Sequence, residues 1–277
     1  MAYTKLNRRF TPSARVEELS SDTAHYRLII LAGKADEYRL AQIDDYTQIQ
    51  SRRLFPHRVG LTLSLSARTS SPCLPGTWGF GLWNDPFGLS IGFGGKPFRL
   101  PALPNAVWFF GASKQNHLSF SDKPANGFLA QSFRSPRFHP LLIPAGLALP
   151  FSSQWTRRLL GKVIAEDGTA LDVPSTQERA AYAMMRGRHV STQHEEAVSV
   201  DPTQWHKYRL EWSLNRVSFE VDEARVLESS VSPNPPLGLV IWIDNQYAAF
   251  TPKGKIGFGV LANPEPAWLE IKGLEAS

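Results

Sequence analysis

Apolar and polar residues alternate in short runs along most of the chain, and clusters of Gly, Pro, Asn and Asp separate the runs. A period of two sends alternate side chains to opposite faces of a strand, so the pattern predicts an all-β chain. Strands are expected at 25–31 (HYRLIIL), 38–43 (YRLAQI), 58–68 (RVGLTLSLSAR), 77–85 (TWGFGLWND), 89–93 (LSIGF), 106–112 (AVWFFGA), 117–121 (HLSFS) and 127–133 (GFLAQSF). The last third predicts strands at 206–213, 216–222, 224–229, 237–244, 254–261 and 267–274, the first two joined by a tight turn at Ser213-Leu214-Asn215. One region departs from this period. Residues 153–167 (SQWTRRLLGKVIAED) and 175–188 (STQERAAYAMMRGR) have helical spacing, and Ser175 with Glu178 fits a capping box. Residues 152–200 are therefore expected to form a helical insertion that serves as a lid, as a contact between copies of the chain, or as a long connection.

Two of the expected strands share an unusual form. In GTWGFGLWNDPFG (76–88), Trp78, Phe80, Leu82 and Asn84 lie on one face, while Thr77, Gly79, Gly81, Trp83 and Asp85 lie on the other. The first set has the character of core. The second is a cleared platform that ends in a ring and a carboxylate. In GLVIWIDNQY (238–247), Val240, Trp242, Asp244 and Gln246 face one way and Leu239, Ile241, Ile243 and Asn245 the other, so Trp-x-Asp recurs. With both strands in one sheet, two rings and two carboxylates face a common groove. Rings stack on sugar rings or other flat apolar surfaces, and carboxylates accept hydroxyl hydrogen bonds or transfer protons. A competing reading makes Asp85, before Pro86, and Asp244, before Asn245, caps of strand ends and turns.

Composition narrows the partners. The 277 residues are expected to form a single β-sandwich domain, 1–277, with 42% apolar residues to build its core. The chain is aromatic-rich, with eight Trp and sixteen Phe. Its net charge of +5 is spread over short pairs such as Arg8-Arg9, Arg52-Arg53 and Arg157-Arg158, which argues against a nucleic-acid partner. The single cysteine, Cys73, excludes an intrachain disulfide and a cysteine-built zinc site. The N-terminal residues lack the apolar run of a signal peptide, and no segment has the length of a membrane span, so a cytoplasmic protein with no membrane partner is expected.

The C-terminal strands carry a resemblance. WHKYRLEW, followed by NRVSFEVDEARVLES, GLVIWID, GKIGFGVL and WLEIKGL, resembles the C-terminal part of the concanavalin A-like lectin/glucanase superfamily, over about a quarter of the chain. The resemblance implies a jelly-roll sandwich of two antiparallel sheets with ligand on the concave face of one, as in family-16 glycoside hydrolases and many sugar-binding modules. Those enzymes carry their nucleophile and acid on one strand as Glu-x-Asp-x-x-Glu or a one-residue variant. No such string occurs here, so no catalytic residue transfers.

The candidate site therefore rests on the residues themselves. Asp85 and Asp244 are the candidate catalytic carboxylates. Trp83, Trp242, Trp108, Asn84, Asn245, Gln246, His117 and Arg134 are the candidate ligand contacts. His139 and Arg137 are weaker candidates. His206, Glu211 and Glu220 are read as structural, the glutamates on a solvated cross-strand salt-bridge face. No metal and no cofactor are expected: His189 and His194 with Glu195 and Glu196 lack zincin spacing, and IGFGG (91–95) lacks the Lys and helix of a phosphate loop. No nucleophile elbow occurs. Three functions fit: a protein that binds or hydrolyses a small glycoside, a cyclase or isomerase on an apolar terpenoid- or polyketide-like metabolite, and a non-catalytic interaction module. A small-molecule ligand is the expected partner, with homo-oligomer contact through the helical insertion as a further expectation.

Overall fold

The computed structural model describes residues 6–47, 50–86, 102, 104–116, 126–135, 192–250 and 256–277. In chain order the strands are β1 (Asn7–Phe10), β2 (Ala14–Ser20), β3 (His25–Ile30), β4 (Leu40–Asp44), β5 (Leu61–Thr69), β6 (Thr77–Trp83), β7 (Ala106–Ala112) and β8 (Gly127–Arg134). They continue with β9 (Thr192–Ala197), β10 (His206–Trp212), β11 (Val217–Val221), β12 (Ala224–Ser229), β13 (Gly238–Asp244), β14 (Gln246–Phe250), β15 (Ile256–Val260) and β16 (Ala267–Ala276). One seven-stranded sheet has the order β1-β4-β13-β6-β7-β8-β9, a second has β12-β11-β10-β5-β16-β3-β2, and β14-β15 is a separate hairpin. Pairing is antiparallel throughout both large sheets. The expected all-β jelly-roll sandwich is the observed architecture.

The alternation in the sequence explains why two faces meet. Trp78, Phe80 and Leu82 of β6, Val107 and Phe109 of β7, and Leu239, Ile241 and Ile243 of β13 face Leu63 and Leu65 of β5, Tyr208, Leu210 and Trp212 of β10, and Leu269 and Ile271 of β16 in one buried cluster. Phe80 and Phe109 each meet the Tyr208 ring at 5.0 Å, which ties the sheets together at the centre. Full burial of such side chains contributes roughly 1.5–3 kcal/mol each. Trp78 needs Gly111 beside it, because a Cβ there would lie 2.1 Å from the indole.

The insertion expected at 152–200 is corrected at its far end. Thr192–Ala197 is a strand, β9, paired with β8 from Leu129↔Ala197 to Arg134↔Thr192. The free edge of β8 offers backbone partners for the whole of this segment, and that ladder outweighs any local helical tendency. The helices expected at 153–167 and 175–188, and the strands expected at 89–93 and 117–121, lie outside the described residues. Among the described residues there is no α-helix, and no helix is long and apolar enough to cross a membrane.

Candidate functional site

Strand register assembles the site on the face of the first sheet turned away from the core. One row across the sheet reads Asn7, Asp44, Val240, Gly81, Trp108, Gln131, Glu195. The next reads Arg9, Gln42, Trp242, Gly79, Phe110, Leu129, Ala197. Trp108, Phe110, Phe133, Val240 and Trp242 form a second apolar cluster, with Trp83 packed against it. The two glycines make this possible. A Cβ on Gly79 would lie 2.8 Å from Trp242 Cη2, and one on Gly81 would lie 2.4 Å from the Val107 carbonyl oxygen, so their absence lets the indoles lie down over β6.

The rings form a pinned floor. Trp83 and Trp242 are parallel to within 4° with centroids 6.3 Å apart, and Trp108 meets Trp242 at 5.4 Å. Each indole N–H enters a polar chain. Trp83 Nε1 donates to Tyr46 Oη at 2.6 Å. Trp108 Nε1 donates to Gln131 Oε1, whose amide donates to Glu195 Oε2 at 2.8 Å. Trp242 Nε1 donates to Thr77 Oγ1, which donates to Asp244 Oδ1 at 2.9 Å. Such anchoring fixes ring orientation before any ligand arrives. Phe110, Trp242 and Trp108 are only 4%, 7% and 8% exposed, while Trp83 is half-buried, so the floor deepens away from Trp83.

Among the described residues, Asp44, Asp244 and Glu195 are carboxylates buried on this face. Asp244 accepts from the Thr77 backbone and hydroxyl, from the Gln246 N–H at 3.2 Å and from Tyr38 Oη at 3.4 Å. Burial nevertheless prevails over these donors and raises its pKa from 3.8 to about 7. Burial also raises Asp44 from 3.8 to about 6, against the pull of Arg9 Nε at 2.7 Å and of Gln42 Nε2 at 2.8 Å. Burial and the neighbouring Asp244 push the Tyr38 phenol well above its ordinary value. Among the described residues no three His, Cys, Asp or Glu side chains converge as a metal site.

The structure brings together the rings of Trp83, Trp108 and Trp242, joins Asp244 to the Trp242 end through Thr77, and leaves Asp85 at the opposite, Trp83 end. Asp244 sits opposite Thr77 and Gly238 opposite Trp83. The stretch from Thr77 to Trp83 alone spans roughly 20 Å at the strand rise, and Asp85 lies beyond it. The expected acid/base pair of aspartates is thus corrected: on antiparallel neighbours two Trp-x-Asp motifs point in opposite directions. That span far exceeds the roughly 5–9.5 Å used by two-carboxylate glycosidases. The Asp85 charge instead bears on Tyr46, whose phenol burial and Asp85 together raise. The Asp85 carbonyl accepts from Arg52 Nη2 at 2.6 Å.

The remaining candidates belong to the framework. Asn84 Oδ1 accepts from the Asn105 N–H at 3.0 Å. Asn245 is fully buried, accepting from the Arg39 N–H and donating to the Glu37 and Leu261 carbonyls at 2.8, 3.0 and 2.9 Å. Gln246 contributes its backbone N–H to Asp244. Arg134 alternates with Phe133 of the floor and so faces the other way, exposed at the strand end. His117, His139, Arg137 and His189 lie outside the described residues. Sequence reasoning missed Asp44, Gln42, Gln131 and Glu195. For Gln42, Asp44 and Gln131 the signal was a polar residue at a platform-parity position of a mostly apolar strand.

Fold and site together define a class: an antiparallel β-sandwich of two sheets with an aromatic face on one of them. Solved structures similar to the chain include a glycoside hydrolase family protein from Mycobacterium thermorestibile (15% identity, 91% of this chain and 76% of that one, TM-score 0.40). A family-16 endo-glucanase from Bacteroides ovatus is 9% identical over 98% of this chain and 93% of its own, with a TM-score of 0.45. A family-16 glycosyl hydrolase from Mycobacterium smegmatis is 11% identical over 100% and 93%, with a TM-score of 0.42. No family model and no curated protein matches the chain.

Proposed function

We propose that this is a carbohydrate-active protein that binds a small glycoside on the floor of Trp83, Trp242 and Trp108, with Asp244 as the carboxylate that receives a sugar hydroxyl. The observation that carries the reading is the parallel Trp83–Trp242 pair, held by hydrogen bonds at both indole nitrogens. Pinned, flat, adjacent rings suit the C–H faces of a sugar ring, and an acceptor at the end of the floor suits its hydroxyls. Binding is the stronger half of the proposal, because the register denies Asp244 the partner carboxylate expected at Asp85. A second reading, an apolar metabolite of terpenoid or polyketide type, is favoured by the low exposure of Trp242 and Phe110.

Calorimetric titration of neutral oligosaccharides and of apolar polycyclic compounds, repeated from pH 5 to pH 8, separates the two (pH values chosen about the Asp244 value of about 7). A sugar hydroxyl donates to the ionised carboxylate and lowers its pKa, so glycoside affinity rises with pH up to about 7. An apolar ligand deepens the desolvation and favours the neutral acid, so its affinity falls with rising pH. Trp242→Ala should abolish either, and Asp244→Asn should flatten the pH dependence. If oligosaccharides fail to bind the folded protein at every pH, the glycoside reading is wrong.

A further inference from the structure

The outward face of the second sheet carries a cluster that the aromatic floor does not use. In the register of β3, β16 and β5, Arg27 and Arg68 flank Glu270 on its two neighbouring strands. Glu270 is 2% exposed and accepts from Arg27 Nη2 at 2.9 Å, Arg68 Nη2 at 3.1 Å and His25 Nε2 at 2.6 Å. Burial alone would raise its pKa, and these three partners outweigh burial and hold it below the ordinary value. Two positions along β16 on either side stand Trp268 and Lys272, with Trp205 beside them. The Arg68 guanidinium lies 4.8 Å from the Trp205 ring and 5.5 Å from that of Trp268, Arg27 lies 5.1 Å from Trp268, and the Lys272 ammonium lies 4.1 Å from Trp205.

Two guanidiniums therefore share one buried carboxylate with the Lys272 ammonium close by, and the local excess is positive. Glu17, opposite Arg27 on β2, is paired with Arg15 at 2.6 Å, and farther along the same face Arg209 pairs with Glu211 and Arg225 with Glu228 at 2.7 Å. Glu270 orients both guanidiniums from beneath while each stays about a third exposed. Arg27 gives Nε and Nη2 to Glu270 and Arg68 gives Nη2, so the guanidinium N–H groups not spent on Glu270 carry the recognition chemistry.

We infer that the Trp205–Trp268 patch is a second binding site, for an acidic sugar chain bearing carboxylates or sulfates. The remaining guanidinium N–H groups and the Lys272 ammonium match such anions in charge and as donors, and the half-buried indoles beside them suit sugar rings. A nucleic acid requires a longer cationic track than this charge-balanced face provides. The inference stands apart from the glycoside reading of the first sheet.

The test is titration of the full chain with polygalacturonate, a neutral dextran and duplex DNA, at low and at physiological salt. Polygalacturonate should bind, and bind less tightly as salt rises, while dextran should not compete. Arg27→Ala and Arg68→Ala should each weaken it about tenfold or more, the loss expected for a charged hydrogen bond. Lys272→Glu should weaken it likewise and supplies the answer where an arginine variant lowers the melting temperature. Trp242→Ala, far away on the other sheet, should leave it unchanged. No binding of polygalacturonate to the wild type, equal binding by the Lys272→Glu protein, or tighter binding of DNA would each overturn the inference.

Discussion

Replacing Asp244 by Asn should flatten the dependence of stability on pH. The carboxyl is buried among Thr77, Tyr38 and Trp242, and its pKa stands at about 7 in the folded chain against 3.8 in the unfolded one. Between those values the folded state holds a proton that the unfolded state has released. Stability therefore falls as pH rises through this window, the reverse of an ordinary salt-bridged aspartate. The folded-state advantage is fully present below pH 3.8 and fully lost above about 7. About three pKa units correspond to roughly 4 kcal/mol. Asp44, raised to about 6, adds a loss in the same direction, complete by that pH.

Urea unfolding at several pH values between about 4.5 and 7.5 measures the effect as a difference of slopes, one proton being worth about 1.4 kcal/mol per pH unit. Asn keeps an acceptor oxygen for the Thr77 hydroxyl and cannot titrate. The wild type should lose about 3 kcal/mol more across that range than Asp244→Asn does. Glu270, Asp201 and Asp222, whose pKa values are lowered, act in the opposite sense at lower pH and are common to both proteins, so they cancel in the comparison. Parallel pH profiles for the two proteins would show that Asp244 is ionised in the fold and refute the reasoning.

Two further substitutions probe the scaffold. Gly79→Ala places a Cβ 2.3 Å from the Phe109 carbonyl and 2.8 Å from Trp242, so it should cost about 1–3 kcal/mol by overpacking and change tryptophan fluorescence; an unchanged melting temperature and spectrum would contradict the close approach. Asn245→Ala leaves the Arg39 N–H and the Leu261 carbonyl without their side-chain partner and takes one of two donors from the Glu37 carbonyl, and should cost about 2–4 kcal/mol in urea unfolding with little effect on ligand affinity at the floor.

Strand alternation is local, and it was legible. Trp78, Phe80 and Leu82 are in the core and Trp83 is on the platform because a period of two needs no knowledge of any other strand. Pairing is not local. Nothing in WND or WID states that the two strands run antiparallel with Asp244 opposite Thr77, and that register alone sends Asp85 to the far end. Asn84 and Asn245 were misleading for a similar reason: their amides bind backbone groups of Asn105, Glu37 and Leu261, remote in sequence and adjacent only once both sheets exist. Asp44 stood one residue past the expected end of its strand, and Glu195 fell inside the segment read as helical. Both become neighbours of the floor only through β4 and β9.

The floor and its acids are one physical construction. Gly79 and Gly81 leave room over β6 for Trp242 and Trp108, and Asp44 and Asp244 are buried on the same face. Exclusion of water is the leading cause of both raised pKa values. A side chain that displaced Trp242 would break its hydrogen bond to the Thr77 hydroxyl that Asp244 accepts, so the shape of the platform and the proton affinity of Asp244 are coupled. The Trp242→Thr77→Asp244 hydrogen-bond chain makes that coupling direct, because a ligand that tilts the indole loosens the hydroxyl that Asp244 accepts. Stacking on the ring and charging of the acid are thereby linked, whichever flat ligand the floor receives.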